Sequence, residues 1–457
     1  MEKGIFKAYD IRGIYPDEFN ERDASVIAYE AALQLSAKRI AIGFDSRRAS
    51  HSIAHSISNA LLSIGSEVSL LGLVSTPEFY HSVLEGKYEM GIMVTASHNP
   101  KEYNGLKIVA KNAVPIGEDN GLSEIMERSL DYYELRSPSK KGIVKRRSFR
   151  NEFIGFSLNS GYADASKIRK MKVVADASSG SIGPAALEFF RQLPVDLITL
   201  NFEPNPDFPS HSPNPLEEQS RELISRRVIE EGADLGIIFD GDGDRVFFID
   251  EKGSSVKGDT ITALLGSLVC ARGKKQKILY DLRSSKFVPD SVTAAGGIPV
   301  MCRVGHAFIK RQMKDEKAIF AGELSGHYYY FIKGSYFENS LIAALQLMQA
   351  ISEQGALSSL AAKNPYFQSG ELNFDAAQKE HIISEIEKML SKEKIKDSVH
   401  LDGLSMEFSS WRFNLRPSNT EALLRLNVEA DSKELLSQKI DILSSRINQE
   451  SERLLKN

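Results

Sequence analysis

A strand pattern that occurs three times constrains this chain more than any other feature. Ile40-Ala-Ile-Gly-Phe-Asp45-Ser-Arg47 reads as an apolar strand ending in an acid and a polar turn. Lys172-Val-Val-Ala-Asp176-Ala-Ser-Ser-Gly180 and Lys277-Ile-Leu-Tyr-Asp281-Leu-Arg-Ser-Ser285 have the same form. Each is followed by a stretch of helical periodicity and then by a second apolar strand: Met90 to Val94, Leu235 to Phe239 and Ala318 to Ala321. Each second strand empties into an unusual loop, Thr95 to Pro100, Asp240 to Arg245 and Gly322 to His327. Strands alternating with helices predict α/β units, and open α/β sheets place ligands at the C-terminal ends of their strands.

From about residue 362 the pattern changes. A charged helix is predicted around Glu380 to Lys394, with Ile382, Ile383, Ile386 and Leu390 on one face. Strand-like runs follow at Ser405 to Leu415 and Ala422 to Val428, and an amphipathic helix closes the chain from Leu435 to Leu454. The expectation is three similar α/β mixed-sheet domains and a C-terminal α+β domain, over residues 1–142, 143–251, 252–360 and 361–457. Candidate linkers lie at Ser137 to Gly142, Glu251 to Gly253 and Ser352 to Ala356. A chain of 457 residues has room for roughly three or four cores.

The net charge of −4 supplies no basic face for nucleic acid, so anionic substrates must be caught by local clusters. Cys270 and Cys302 are the only cysteines, too few to staple so large a chain. No run of about 18 apolar residues suggests a membrane span, and the first residues carry no apolar signal core. A cytoplasmic enzyme with no membrane or nucleic-acid partner is expected.

The loop Asp240-Gly-Asp242-Gly-Asp244 sets three carboxylates on alternate residues, with glycines that permit a tight, left-handed backbone. Three converging carboxylates call for a hard divalent cation such as Mg²⁺, with room left for water and a phosphate oxygen. A calcium EF-hand does not fit: Arg245 occupies the position that needs glycine, and Val246 to Ile249 reads as a strand. Arg245 stands where it can hold a phosphate touched by the same cation.

Ser97 and His98 place a hydroxyl beside an imidazole, but no Gly-x-Ser-x-Gly elbow surrounds them. Side chains of adjacent strand residues point to opposite faces, so His98 need not contact Ser97 as a base. With the Asp loop in the same chain, a phosphorylated, metal-bound Ser97 is the better account, and Lys107 is a charge partner or proton donor. Glu323 and Ser325 offer contacts for sugar hydroxyls. Arg416, Ser418, Asn419 and Thr420 form a compact oxyanion cradle between two strands.

Taken together, Thr95-Ala-Ser-His-Asn-Pro100, Asp240-Gly-Asp-Gly-Asp-Arg245, Gly322-Glu-Leu-Ser-Gly-His327 and Arg416-Pro-Ser-Asn-Thr420, with Tyr9-Asp-Ile-Arg12-Gly13 at the start, resemble the motifs of the α-D-phosphohexomutase superfamily, phosphomannomutase/phosphoglucomutase group. The resemblance spans nearly the whole chain. It implies four domains around a central cleft and an intramolecular phosphotransferase acting on small hexose phosphates. One Mg²⁺ per chain would be held by Ser97, Asp240, Asp242 and Asp244, and a hexose 1,6-bisphosphate would serve as activator and intermediate. Ser97 would carry the phosphoryl group, with Arg12, Lys107, His98 and His327 as the other catalytic groups; Lys107 and His327 both remain open as general base. Tyr9, Arg245, Arg283, His306, Glu323, Ser325, His327, Arg416, Ser418, Asn419, Thr420 and Arg425 would bind substrate.

The resemblance also implies a monomer or weak homodimer. Relatives often carry two acids, or Asp-Ser, where this chain has Glu338-Asn339. Leu324 favours mannose and glucose phosphates over a phosphoglucosamine mutase, which more often has a polar residue there. A metal-dependent sugar phosphatase and a non-catalytic sugar-phosphate sensor are the rival classes.

Overall fold

The computed structural model of the chain describes residues 1–131, 142–273, 275–376, 378–418 and 422–455. They fall into two compact units. The first comprises Met1–Gly258, Gly305–Ala321 and Ser325–Leu360; the second comprises Asp259–Val304, Gly322–Leu324 and Ala361–Asn457.

The first unit holds two of the three repeats. Its larger sheet runs Ile11–Ile14, Tyr103–Ala110, Met90–Val94, Arg39–Phe44, Glu67–Leu73, Ile143–Arg146. Arg39–Phe44 pairs parallel with both Met90–Val94 and Glu67–Leu73, while Tyr103–Ala110 runs antiparallel to Met90–Val94. Parallel neighbours need crossovers, supplied by helices Ser50–Ser63 and Thr76–Glu85. The second helix starts where the sequence says it should: Ser75 Oγ accepts from the Glu78 N–H at 3.2 Å, and Pro77 sits in the first turn. Ile40, Ile42, Ile92, Val94, Leu106 and Ile108 bury one face of the sheet against Ile53, Ile57 and Leu61 of the helix.

The smaller sheet runs Ser255–Val256, Val246–Ile249, Leu235–Phe239, Met171–Asp176, Val195–Leu200. Leu235–Phe239 pairs parallel with Met171–Asp176 and antiparallel with Val246–Ile249. The Asp240 to Arg245 loop is therefore the turn between two antiparallel strands. Glu251 to Gly253, a candidate linker, is the turn joining Val246–Ile249 to Ser255–Val256. Of the candidate linker at 137–142, residues 137–141 lie outside the described residues.

The third acid-ended strand, Lys277–Asp281, lies in the second unit and pairs parallel with Ile298–Cys302. The strand expected at Ala318 to Ala321 begins later, as Phe320–Gly322, because the preceding helix His306–Glu316 ends on a left-handed Lys317 (φ 56°). The second unit also carries an antiparallel sheet ordered Phe367–Asp375, Leu423–Ala430, Trp411–Pro417, Leu404–Glu407, Asp397–Val399. The single run expected from Ser405 to Leu415 is two strands, because Phe408 N–H donates to the Trp411 carbonyl at 2.9 Å and closes a turn. Ile382, Ile386 and Leu390 of helix Lys379–Leu390 and Leu443 and Ile447 of helix Lys433–Leu455 pack on this sheet. Among the described residues no helix is long and apolar enough to cross a membrane.

His81, on helix Thr76–Glu85, is buried against Phe153 and Phe156, with ring centroids 5.8 and 4.8 Å away. Burial, aided by Lys333, lowers its pKa to about 4. The folded state thus keeps His81 neutral where the unfolded chain, titrating near 6.5, takes a proton. Stability from this group is complete above pH 6.5 and is lost as pH falls toward 4. Chemical denaturation of wild type and His81→Leu should show the gap between them closing or reversing over that range by on the order of 3 kcal/mol; a constant gap would show that His81 titrates normally.

Candidate active site

The Thr95–Pro100 and Asp240–Arg245 loops meet in the first unit. Ser97 Oγ lies 3.1 Å from Asp240 Oδ2. One oxygen from each of Asp240, Asp242 and Asp244 lies within 4.8 Å of the others, and all three residues are buried. Gly243 adopts φ 74°, the left-handed turn that brings alternate carboxylates round to one point. The turn is closed by Gly243 N–H to the Asp240 carbonyl at 3.2 Å and by Arg245 N–H to Asp240 Oδ1 at 3.1 Å.

Lys107 crosses from strand Tyr103–Ala110, its ammonium 2.8 Å from Asp242 Oδ2 and 2.5 Å from Asp244 Oδ2. Burial opposes the Lys107 charge, but the two carboxylates outweigh it and raise its pKa well above the usual lysine range. Burial and then the Asp244 and Asp242 charges push Asp240 up. Burial works against Asp244 as well, yet Lys107, His327 and Arg245 hold it well below the usual carboxylate range. Asp242 Oδ1 is buried with no hydrogen-bond partner among the described residues. An orphaned buried carboxylate oxygen in an all-oxygen donor set beside a hydroxyl fits a hard divalent cation.

His98 contacts Ser97 after all, Nδ1 to Oγ at 3.2 Å. Alternation of faces does not apply, because Ser97 lies beyond the strand in a turn with φ 51°. Burial, with Arg245 and Arg12 adding to it, keeps His98 neutral by lowering its pKa well below the usual range. Arg12 is held by Asp10 at 2.7 Å and donates to Asn99 Oδ1 at 2.7 Å. His327 Nε2 is 3.3 Å from Asp244 Oδ1 and receives Arg245 Nε–H at 3.3 Å, while its Nδ1 is 3.1 Å from Ser325 Oγ. Tyr9 meets His306 edge to face at 4.6 Å. Glu338 is buried and paired with Lys310 at 2.5 Å, with His306 Nδ1 at 3.7 Å.

The second unit carries the remaining polar residues. Arg283 pairs with Asp281 at 2.9 Å, and Glu323 is buried on its loop. Arg416 and Arg425 face each other across adjacent strands and share Glu371, at 2.9 and 3.3 Å. Arg425 also reaches Ser418 Oγ at 3.4 Å. Asn419 and Thr420 lie outside the described residues.

Four domain models of phosphoglucomutase/phosphomannomutase match in order: alpha/beta/alpha domain I at residues 3–134, domain II at 151–253, domain III at 257–366 and the C-terminal domain at 371–441. The chain is 37% identical over 433 residues to the phosphohexose mutases protein of Xanthomonas campestris pv. campestris (strain B100), covering 94% of this chain and 95% of that one. It is 37% identical to the phosphomannomutase of Escherichia coli (strain K12), covering 93% and 94%. The chain belongs to the phosphoglucomutase/phosphomannomutase family. It is a phosphohexomutase, an isomerase of the α-D-phosphohexomutase superfamily.

The four-domain architecture, with mixed α/β sheets in domains I to III and a C-terminal α+β domain, is shared by a Burkholderia thailandensis phosphoglucomutase/phosphomannomutase family protein. That structure matches with a TM-score of 0.88 at 25% identity, covering 99% of this chain and 98% of that one. The open form of the Paramecium phosphoglucomutase parafusin shares the fold, with a TM-score of 0.77 at 16% identity.

Sequence reasoning missed several residues that touch the site of this phosphohexomutase. Thr76 Oγ1 donates to Asp242 Oδ2 at 2.7 Å, and its N–H donates to the Asp242 carbonyl at 2.8 Å. Ser340 Oγ donates to the Gly243 carbonyl at 2.7 Å. No local motif marks these hydroxyls; only the fold brings them to the Asp loop. Glu371, between two arginines, was likewise hidden in a strand.

Lys107 occupies only the Oδ2 atoms of Asp242 and Asp244, which leaves Asp242 Oδ1 for a cation. Saturating Mg²⁺ should raise the melting temperature, with about 2.7 kcal/mol gained at a hundred times the dissociation constant. Asp242→Asn should abolish the rise, which differential scanning calorimetry with and without Mg²⁺ will show.

Proposed function

We propose that this phosphohexomutase interconverts hexose 6-phosphate and hexose 1-phosphate, of mannose and/or glucose, through a phosphorylated Ser97 and a hexose 1,6-bisphosphate. The observation that carries the reading is the 3.1 Å approach of Ser97 Oγ to Asp240 inside the buried carboxylate cluster. Relatives named phosphomannomutase support the sugar assignment, as does Leu324 in the sugar loop.

In this reading phospho-Ser97 gives its phosphoryl group to the free hydroxyl of a bound hexose phosphate. The P–O bond to Ser97 breaks as the bond to the sugar oxygen forms. The bisphosphate turns end for end, and its other phosphoryl returns to Ser97. Asp240, Asp242 and Asp244, with the Ser97 phosphate, would hold Mg²⁺, which would supply charge neutralisation for the transferring oxygens. Arg12 and Lys107 supply further positive charge there, which is the main electrostatic demand of phosphoryl transfer. His98, kept neutral, meets Ser97 Oγ without adding charge.

Of the two candidates for taking the sugar hydroxyl's proton, Lys107 or His327, we favour His327, because Asp242 and Asp244 hold Lys107 as an ammonium. Arg245 and His327 attend the reacting phosphate. Tyr9, His306, Arg283, Glu323 and Ser325 bind the sugar. Arg416, Ser418, Asn419, Thr420 and Arg425 anchor the phosphate that is not transferred, taking the place of Glu371 on the two arginines. The enzyme acts in the cytoplasm as a monomer or weak homodimer, with hexose 1,6-bisphosphate as activator.

A coupled assay with mannose, glucose and glucosamine 1-phosphates, primed with a trace of glucose 1,6-bisphosphate, should show turnover of the first two without release of inorganic phosphate. Turnover of glucosamine 1-phosphate alone would make the enzyme a phosphoglucosamine mutase, and stoichiometric free phosphate would make it a phosphatase. Ser97→Ala should lose at least about 10³-fold in kcat while still binding sugar phosphate; retained turnover would remove the phosphoserine.

A further inference from the structure

The three acid-ended strands share more than a sequence pattern. In each, the carboxylate caps its own turn by accepting the backbone N–H two residues on. Arg47 N–H donates to Asp45 Oδ1 at 3.0 Å, Ser178 N–H to Asp176 Oδ1 at 2.8 Å, and Arg283 N–H to Asp281 Oδ1 at 2.8 Å. This is the local Asx turn that Asp favours after a strand. The turn then reaches a different functional loop in each repeat.

In the first repeat the link is Arg47, which is only 3% exposed. Its Nε–H meets Asp45 Oδ2 at 3.1 Å. One terminal nitrogen donates to the carbonyls of Ser97 and Asn99 at 2.7 and 2.6 Å, the other to those of Pro100 and Tyr103 at 2.6 and 3.1 Å. A guanidinium has five N–H donors, and here all five are used, three of them on the backbone of the nucleophile loop and one on Tyr103, the first residue of the next strand. Ser97 is in the left-handed region (φ 51°), which a serine adopts only when its surroundings enforce it.

In the second repeat Ser178 Oγ donates to the Phe239 carbonyl at 2.5 Å, at the root of the Asp loop, and Ser181 N–H donates to the Gly241 carbonyl at 3.0 Å. Ser178 stands where the other repeats have arginine, and His211 supplies the cation instead. Its Nε2 lies 3.1 Å from Asp176 Oδ2 and its Nδ1 lies 2.8 Å from the Ser212 carbonyl, so both ring nitrogens face acceptors. The next residue, Pro213, accepts Gly241 N–H at 3.2 Å. In the third repeat Asp281 Oδ2 accepts Leu324 N–H of the sugar loop at 2.7 Å while Arg283 holds both carboxylate oxygens.

We propose that Asp45 with Arg47, Asp176 with Ser178 and His211, and Asp281 with Arg283 are three copies of one positioning device, each setting the backbone of a separate functional loop: nucleophile, metal and sugar. The device rests on the loop roles proposed for Ser97, the Asp triplet and Glu323. It makes the repeat functional, because the strand that ends in Asp is the scaffold on which the neighbouring loop is shaped. None of these carboxylates needs to touch substrate.

The test compares wild type with Arg47→Lys, Asp176→Asn and Asp281→Asn by three readouts. These are the rate of Ser97 phosphorylation at saturating Mn²⁺ and glucose 1,6-bisphosphate, by intact mass; Mn²⁺ affinity, by calorimetry; and glucose 1-phosphate affinity. Each variant should lose mainly one. Arg47→Lys should phosphorylate about a hundredfold more slowly, the cost of a nucleophile misplaced by about 1 Å. Asp176→Asn should bind Mn²⁺ about tenfold or more weakly, as loss of a group that orients ligands does. Asp281→Asn should lose about tenfold in sugar-phosphate affinity.

Where Asp176→Asn or Asp281→Asn gives no cooperative melt, Ser178→Ala and Asp281→Ser carry the same readouts. Equal losses in all three readouts, no loss, or a largest loss on another repeat's loop overturns the device. A wild type that takes no phosphoryl group at Ser97, or that binds Mn²⁺ unchanged after Asp242→Asn, instead brings down the loop roles themselves and the device with them.

Discussion

Three buried carboxylates gathered on one point are the constraint around which the first unit is organised. Oxygens within 4.8 Å of one another repel by about 3 kcal/mol or more per pair at an effective dielectric of about 20. That cost is not tolerable in a buried loop unless positive charge sits close by. The Lys107 ammonium lies between two of the three, with Arg245 and His327 beyond them. The result is a cluster balanced by a buried lysine, with Asp242 Oδ1 left over as a donor for a divalent cation.

Holding such a cluster requires backbone conformations that no side chain would choose. Gly243 supplies one left-handed turn at no steric cost, but Ser97, Ser178 and Ser179 adopt positive φ without that freedom. Apart from the local bond of Asp176 to Ser178, the hydrogen bonds that enforce these turns come from residues distant in sequence: Arg47 for Ser97, the Asn201 carbonyl for Ser179, Thr76 and Ser340 for the Asp loop. Strain at Ser97 and at the Ser178 turn is thus compensated in the surrounding scaffold. The parallel pairing of Arg39–Phe44 with Met90–Val94, and of Met171–Asp176 with Leu235–Phe239, puts each Asx turn beside the loop it serves.

The second unit works on the same principle with opposite charge. Arg416 and Arg425, opposed on neighbouring strands, would repel, and Glu371 sits between them as counter-ion. Glu371 keeps this concentration of positive charge stable by pairing with both guanidinium groups.

The repeats, the alternating Asp-Gly loop and the chemistry they imply were legible in the sequence because each depends on local residue order. An apolar strand ending in Asp, or carboxylates spaced by glycines, needs no partner to be recognised. What the tertiary structure alone decided was who meets whom. Nothing in the order of residues places Thr76 on Asp242, Arg47 on the carbonyl of Ser97, Lys310 on Glu338 or Glu371 between two arginines, since those contacts cross tens to hundreds of positions. The contact of His98 with Ser97 went the same way: a face-alternation rule for strands could not foresee a left-handed turn two residues past the loop's start, because that turn is imposed by an arginine fifty positions earlier.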